Sequence, residues 1–194
     1  GSNGETPELT FANATFGANV KPTFPSNEGT GGQAKLIYRN STATLAVGDW
    51  QQPAHSALVA DGGSLYVSGN YSRRESGGNL PDRLVAALNG ARVTLEAFSH
   101  LGSNDPEQPH VLVATEGAWL AAGGGLNRTF LHANILVAVT NATFGMGSGS
   151  YAMGFADDSH FDLNGATLDC YWNLGHRSSA YVTGNCDFAG FGPQ

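Results

Sequence analysis

VAVTNATF, residues 137–144, and FDLNGATL, residues 161–168, are the same sentence written twice. Each places an apolar residue four positions before a turn residue, Asn141 or Gly165, then Ala directly after it, and a large apolar residue three after. Working outward from these two, further segments align on Asn13, Thr42, Gly62, Gly90, Gly117 and Asn185. The position three after the origin then reads Phe16, Leu45, Leu65, Val93, Leu120, Phe144, Leu168 and Phe188. One after the origin stands a small residue: Ala14, Ala43, Gly63, Ala91, Ala118, Ala142, Ala166 or Cys186. Four before it the column is Leu9, Tyr38, Leu58, Ala86, Val113, Val137, Phe161 and Tyr181. The intervening position is polar in Thr15, Thr44, Ser64, Arg92, Thr143, Thr167 and Asp187, with Trp119 the exception. This alternation is that of period-2 strands burying one face.

The origins lie 29, 20, 28, 27, 24, 24 and 20 residues apart, too far for hairpins, and no sustained helical period accompanies them. Spacing of this kind belongs to a solenoid. The expected fold is all-β: a single-stranded parallel β-helix of about eight rungs, right-handed as parallel connections are. Like positions stack at about 4.8 Å, giving a rod on the order of 35–40 Å tall. Gly and Asn at the origin tolerate the left-handed backbone of a sharp bend. The rival is an antiparallel β-sandwich, whose evenly spaced strands alternate in the same way. Gly1-Ser2 looks like a cloning scar, so residues 1–6 read as a remnant or linker and 7–194 as the β-helix domain.

Glycine is abundant at 27 of 194 residues and charged residues are scarce at 13%. No run of about 20 apolar residues is present, so membrane insertion is not expected. A net charge of −7, with nine Lys and Arg scattered along the chain, argues against nucleic acid as a partner. Asn-X-Ser/Thr triplets stand at Asn13, Asn40, Asn70, Asn127 and Asn141. Bend geometry alone accounts for Asn13 and Asn141. Cys170 and Cys186 are the expected disulfide of an oxidising compartment. The columns offset them by four residues, about 13 Å along a strand, so that bridge requires the last rung to fold back.

The segments between columns, 19–33, 48–55, 69–82, 98–109, 123–133 and 147–158, read as loops, and loops carry function in such a scaffold. Trp50 beside Asp49, Tyr71 beside Arg73, and Tyr151 ahead of Asp157 combine an aromatic face for sugar C–H groups with polar atoms for hydroxyls. These are the expected ligand-binding residues. The six histidines, His55, His100, His110, His132, His160 and His176, form no close pair, so neither a structural metal nor a cofactor is expected.

Asp157-Asp158-Ser159-His160, followed by Gly175-His176-Arg177, resembles the site of the pectin-cleaving polygalacturonases. That resemblance implies a lyase or glycoside hydrolase in which Asp157, Asp158, His160 and His176 perform acid and base steps. Arg177 stands where that family has glycine, and the flanking Asn-Thr-Asp and Arg-Ile-Lys motifs are missing. Taken whole, the Gly, Ala, Asn and Thr richness and the rung spacing resemble the right-handed parallel β-helix of secreted bacterial surface proteins, the autotransporter passengers and adhesins. The resemblance implies a secreted or cell-surface rod whose side loops bind a carbohydrate or a protein of a host or neighbouring cell. Self-association through end rungs is a further expectation. Ice binding through Thr15, Thr44, Thr143 and Thr167 is less favoured, because Arg92, Trp119 and Asp187 interrupt the flat face.

Overall fold

A computed structural model describes residues 8–17, 34–51, 56–72, 83–100, 110–122, 130–131, 135–145, 153–155, 160–169, 172–173 and 177–188. Among them the chain is all-β, without helix, and every strand pair is parallel. Parallel pairing of successive segments excludes the antiparallel sandwich and makes the fold a parallel β-solenoid. Its cross-section has three faces. Three successive turns are traced through all of them without a break, 34–51, 56–72 and 83–100.

The first face stacks 8–12, 34–39, 56–61, 83–88, 110–115, 135–140, 160–164 and 179–183 in register. The second stacks 15–16, 42–46, 64–67, 92–95, 119–122, 143–145 and 167–169, with Asp187 bridging to Thr167. A third runs through 49–51, 70–72, 97–100, 130–131, 153–155 and 172–173. Parts of 48–55, 69–82, 98–109, 123–133 and 147–158, expected as loops, are therefore strands.

The inward side chains form one continuous core. On the first face Leu36, Leu58, Val85, Leu112, Val137 and Phe161 stack in register, all nearly inaccessible to solvent. The second face contributes Ala43, Leu65, Val93, Leu120, Phe144 and Leu168. Burying each large side chain is worth roughly 1.5–3 kcal/mol, so the interior ladders hold the coil together. Leu9 and Val182 belong to inward columns but are 40% and 45% exposed, because they lie on the outermost described strands of the first face, each stacked on one side only. Phe11, Phe16 and Tyr38 fill the first turn as a cluster with ring centroids 4.9–5.7 Å apart.

Register corrects the sequence columns in two places. The second origin is Asn40, not Thr42: Asn40 has φ 46, and Ala43 rather than Leu45 pairs with Phe16 and Leu65. Leu45 is buried one column over, beside Val67 and Leu95. A slip of two residues keeps the same side inward, so alternation could not detect it. Consequently Ser41, not Ala43, occupies the small-residue column, and Thr42, not Thr44, the polar one. The second correction concerns bends of unequal length. Two residues separate the first and second faces at 40–41, 141–142 and 165–166, but three do at 89–91, 116–118 and 184–186. Counting back from a fixed origin across the longer bends is off by one. Ala86, Val113 and Tyr181 therefore point outward, while Val85, Leu112 and Ala180 hold the inward column.

The bends are held by their own chemistry. Asn13, Asn40 and Asn141 all adopt positive φ, as short polar side chains tolerate. Three of the Asn-X-Ser/Thr triplets thus coincide with bends. Gly63, at φ +71, is the sharpest case: a Cβ there would run into the carbonyl oxygen of Ser41.

Candidate ligand-binding face

The outward side of the second face carries the polar column, now in true register: Thr15, Thr42, Ser64, Arg92, Trp119, Thr143, Thr167 and Asp187. Beside it runs a second outward column, Thr44, Tyr66, Thr94, Ala121, Gly145 and Asp169. These residues face out because their neighbours Ala43, Leu65, Val93, Leu120, Phe144 and Leu168 face in, and period-2 alternation leaves no other choice.

At the middle of this face the Arg92 guanidinium carbon lies 3.7 Å from the centroid of the Trp119 ring. Parallel register places the two residues directly opposite each other, and the cation settles on the ring's negative face. The indole reaches toward the next turn, where Gly145 offers no side chain. A Cβ at Gly145 would sit 3.7 Å from Trp119 Nε1 and 3.2 Å from the Asp169 carbonyl oxygen. Ala121 and Gly145 are buried despite their outward register. Trp119 is half-buried and Arg92 exposed. Among the described residues, no acceptor takes a hydrogen bond from Arg92 or from Trp119 Nε1. Hydroxyls flank the pair in both directions, Ser64 and Thr42 on one side, with Ser64 Oγ donating to Thr42 Oγ1 at 3.5 Å, and Thr143 and Thr167 on the other. Tyr66 is the exposed aromatic residue one turn before Thr94.

The expected site residues fare differently. Asp49, Trp50 and Tyr71 are on strands of the third face, not in loops, and the backbone register puts Trp50 opposite Tyr71 and Tyr71 opposite Phe98. Tyr151, Asp157, Asp158 and His176 lie outside the described residues, as does Cys170. His160 is exposed on the first face, and its Nδ1 is 2.7 Å from Ser179 Oγ on the next turn. Cys186 is a free thiol seated in the small-residue column, where its Sγ accepts from the Ala166 N–H at 3.3 Å and donates to the Thr183 carbonyl. Among the described residues, no three His, Cys, Asp or Glu side chains converge on a point that could hold a metal ion.

Arg92 and Trp119 were visible in the sequence as neighbours in one column, but they read as interruptions of a threonine face. Their stacking is the signal that reading missed. At the corner between the first two faces Asp61 accepts from Asn89 Nδ2 at 2.7 Å and from Arg39 Nε at 3.1 Å. These two hydrogen bonds hold the Asp61 carboxyl below its ordinary range.

Compared with protein-family models, curated proteins and solved structures, the chain matches none.

Proposed function

We propose that the chain is an adhesin-like binding module, secreted or displayed at a cell surface, whose ligand is a carbohydrate held on the outward second face around Trp119. The observation that carries this reading is the Arg92–Trp119 stack, with Arg92 exposed and Trp119 half-buried at the middle of the outward second face, and the hydroxyl residues Ser64 and Thr143 on either side in the same column. The guanidinium and the flanking hydroxyls answer a sugar's O–H groups, and the part of the indole that Arg92 leaves uncovered offers apolar surface to its C–H groups. Secretion is supported by the scarcity of charged residues and the abundance of glycine. The first-face ladder, from Glu8 opposite Lys35 to His160 opposite Ser179, is what favours about eight rungs beyond the three continuously traced turns, and the right hand rests on the general preference of parallel connections. Exposure of Leu9 and Val182 in otherwise buried columns supports self-association through the end rungs.

The test is a glycan array followed by titration calorimetry on the wild type and Trp119→Ala, with circular dichroism to verify the fold. Loss of binding in a folded Trp119→Ala protein supports the site, whereas undiminished binding refutes it. The rival is a polysaccharide-degrading enzyme using Asp157, Asp158 and His160. Release of reducing ends or unsaturated products, abolished by Asp157→Asn, would select that rival.

A further inference from the structure

We infer that the glycan taken by this face is acidic, bearing carboxylate or sulfate groups, and that Arg92 receives the anion; the inference rests on the reading of the second face as a carbohydrate site. The Arg92 guanidinium presents cationic N–H donors in a planar fork that matches two oxygens of a carboxylate or sulfate. Contact with the Trp119 ring, 3.7 Å from guanidinium carbon to ring centroid, holds the cation at one place on the face before any ligand arrives. Among the described residues none of those donors is occupied. A cation that is held in place without an anion on it is a prepared receptor for one.

Among the described residues no carboxylate pairs with Arg92: Asp61 at the corner is taken by Asn89 and Arg39, and Glu116, at the bend three residues before Trp119, forms no ion pair with it. Asp187 is four turns along the same column, through Trp119, Thr143 and Thr167. Asp169 ends the neighbouring column three turns from Thr94, about 14 Å at the strand spacing of a sheet. That separation exceeds the screening length of about 8 Å at physiological salt. The overall charge of −7 is screened in the same way, so Arg92 acts as a local positive point on an acidic protein. The part of the half-buried indole that Arg92 leaves uncovered offers contact to sugar C–H groups, and Arg92 lies within reach of an acidic substituent on that sugar.

The experiment is affinity measurement with three polymers: polygalacturonate, its fully methyl-esterified form, and a sulfated galactan. Wild type, Arg92→Gln and Arg92→Lys proteins are compared, each verified as folded. The expected result is that the wild type binds at least one acidic polymer about tenfold or more tightly than the esterified one, the scale of one charge-assisted hydrogen bond. Arg92→Gln abolishes that preference and Arg92→Lys keeps part of it. Preference for the carboxylate or the sulfate polymer identifies the source of the anion. Equal binding of the esterified polymer, or a preference that survives in Arg92→Gln, overturns the acidic assignment and leaves the carbohydrate site standing. Binding to no glycan, here or on the array, refutes the carbohydrate reading and this inference with it.

Discussion

Ser41→Ala tests how the bends are held. The Ser41 hydroxyl is buried at 1% exposure, accepts from the Ala14 N–H at 3.0 Å, and donates to the carbonyl oxygens of Arg39 at 2.8 Å and Phe11 at 3.3 Å. Removing it creates almost no cavity but strips the Ala14 N–H of its acceptor. A part-buried N–H left without a partner costs about 1–2 kcal/mol, which corresponds to roughly a tenfold rise in local opening. Because each turn of a coil touches only its neighbours, the loss falls on the first turn and not on the whole rod. Hydrogen exchange resolved by residue is the assay. Amides from Phe11 to Phe16 are expected to exchange about tenfold faster, while those of Phe144 and Leu168 stay unchanged. Cys186 supplies the control, since its thiol occupies the equivalent corner and bonds the Ala166 N–H and the Thr183 carbonyl in the same pattern. Ser41→Cys should therefore preserve most of the protection. Unaltered exchange at Ala14 in Ser41→Ala, or equal loss in both variants, would refute the reasoning.

Leu120→Ala removes a fully buried side chain stacked between Val93 and Phe144 and is expected to cost about 2–5 kcal/mol in urea unfolding; a cost below about 1 kcal/mol would contradict the interior column. Burial pushes the Tyr38 phenol from 10.0 up to about 12. The fold holds the neutral form, so the unfolded chain loses this proton first and stability should fall as pH rises from 10 toward 12. A phenolate absorbance titration in which every tyrosine ionises together near pH 10 would count against a buried Tyr38. For Asp61 the sign is opposite: its hydrogen bonds from Asn89 and Arg39 depress the folded-state value below 3.8, so its contribution is present above that pH and is lost on acidification. The gap in denaturant midpoint between wild type and Asp61→Asn should narrow below pH 3.8, by a small amount because Arg39 is exposed.

What the sequence determined alone is the winding. A turn residue, a small residue and a large apolar residue recurring at 20 to 29 positions dictate parallel strands with one buried side, because burial forces period-2 alternation and equivalent positions must stack. What it could not determine is the register. Alternation is unchanged by a slip of two, which hid Asn40 behind Thr42, and it does not record whether a bend has two residues or three, which misplaced Ala86, Val113 and Tyr181. The third face escaped for a related reason, since segments as short as 130–131 and 172–173 carry too few residues to show a period. The Arg92–Trp119 stack was decided only by tertiary structure. Residues 27 apart in the chain become neighbours when one turn closes on the next, and placing a guanidinium on an indole depends on inter-strand register, which a linear pattern does not contain.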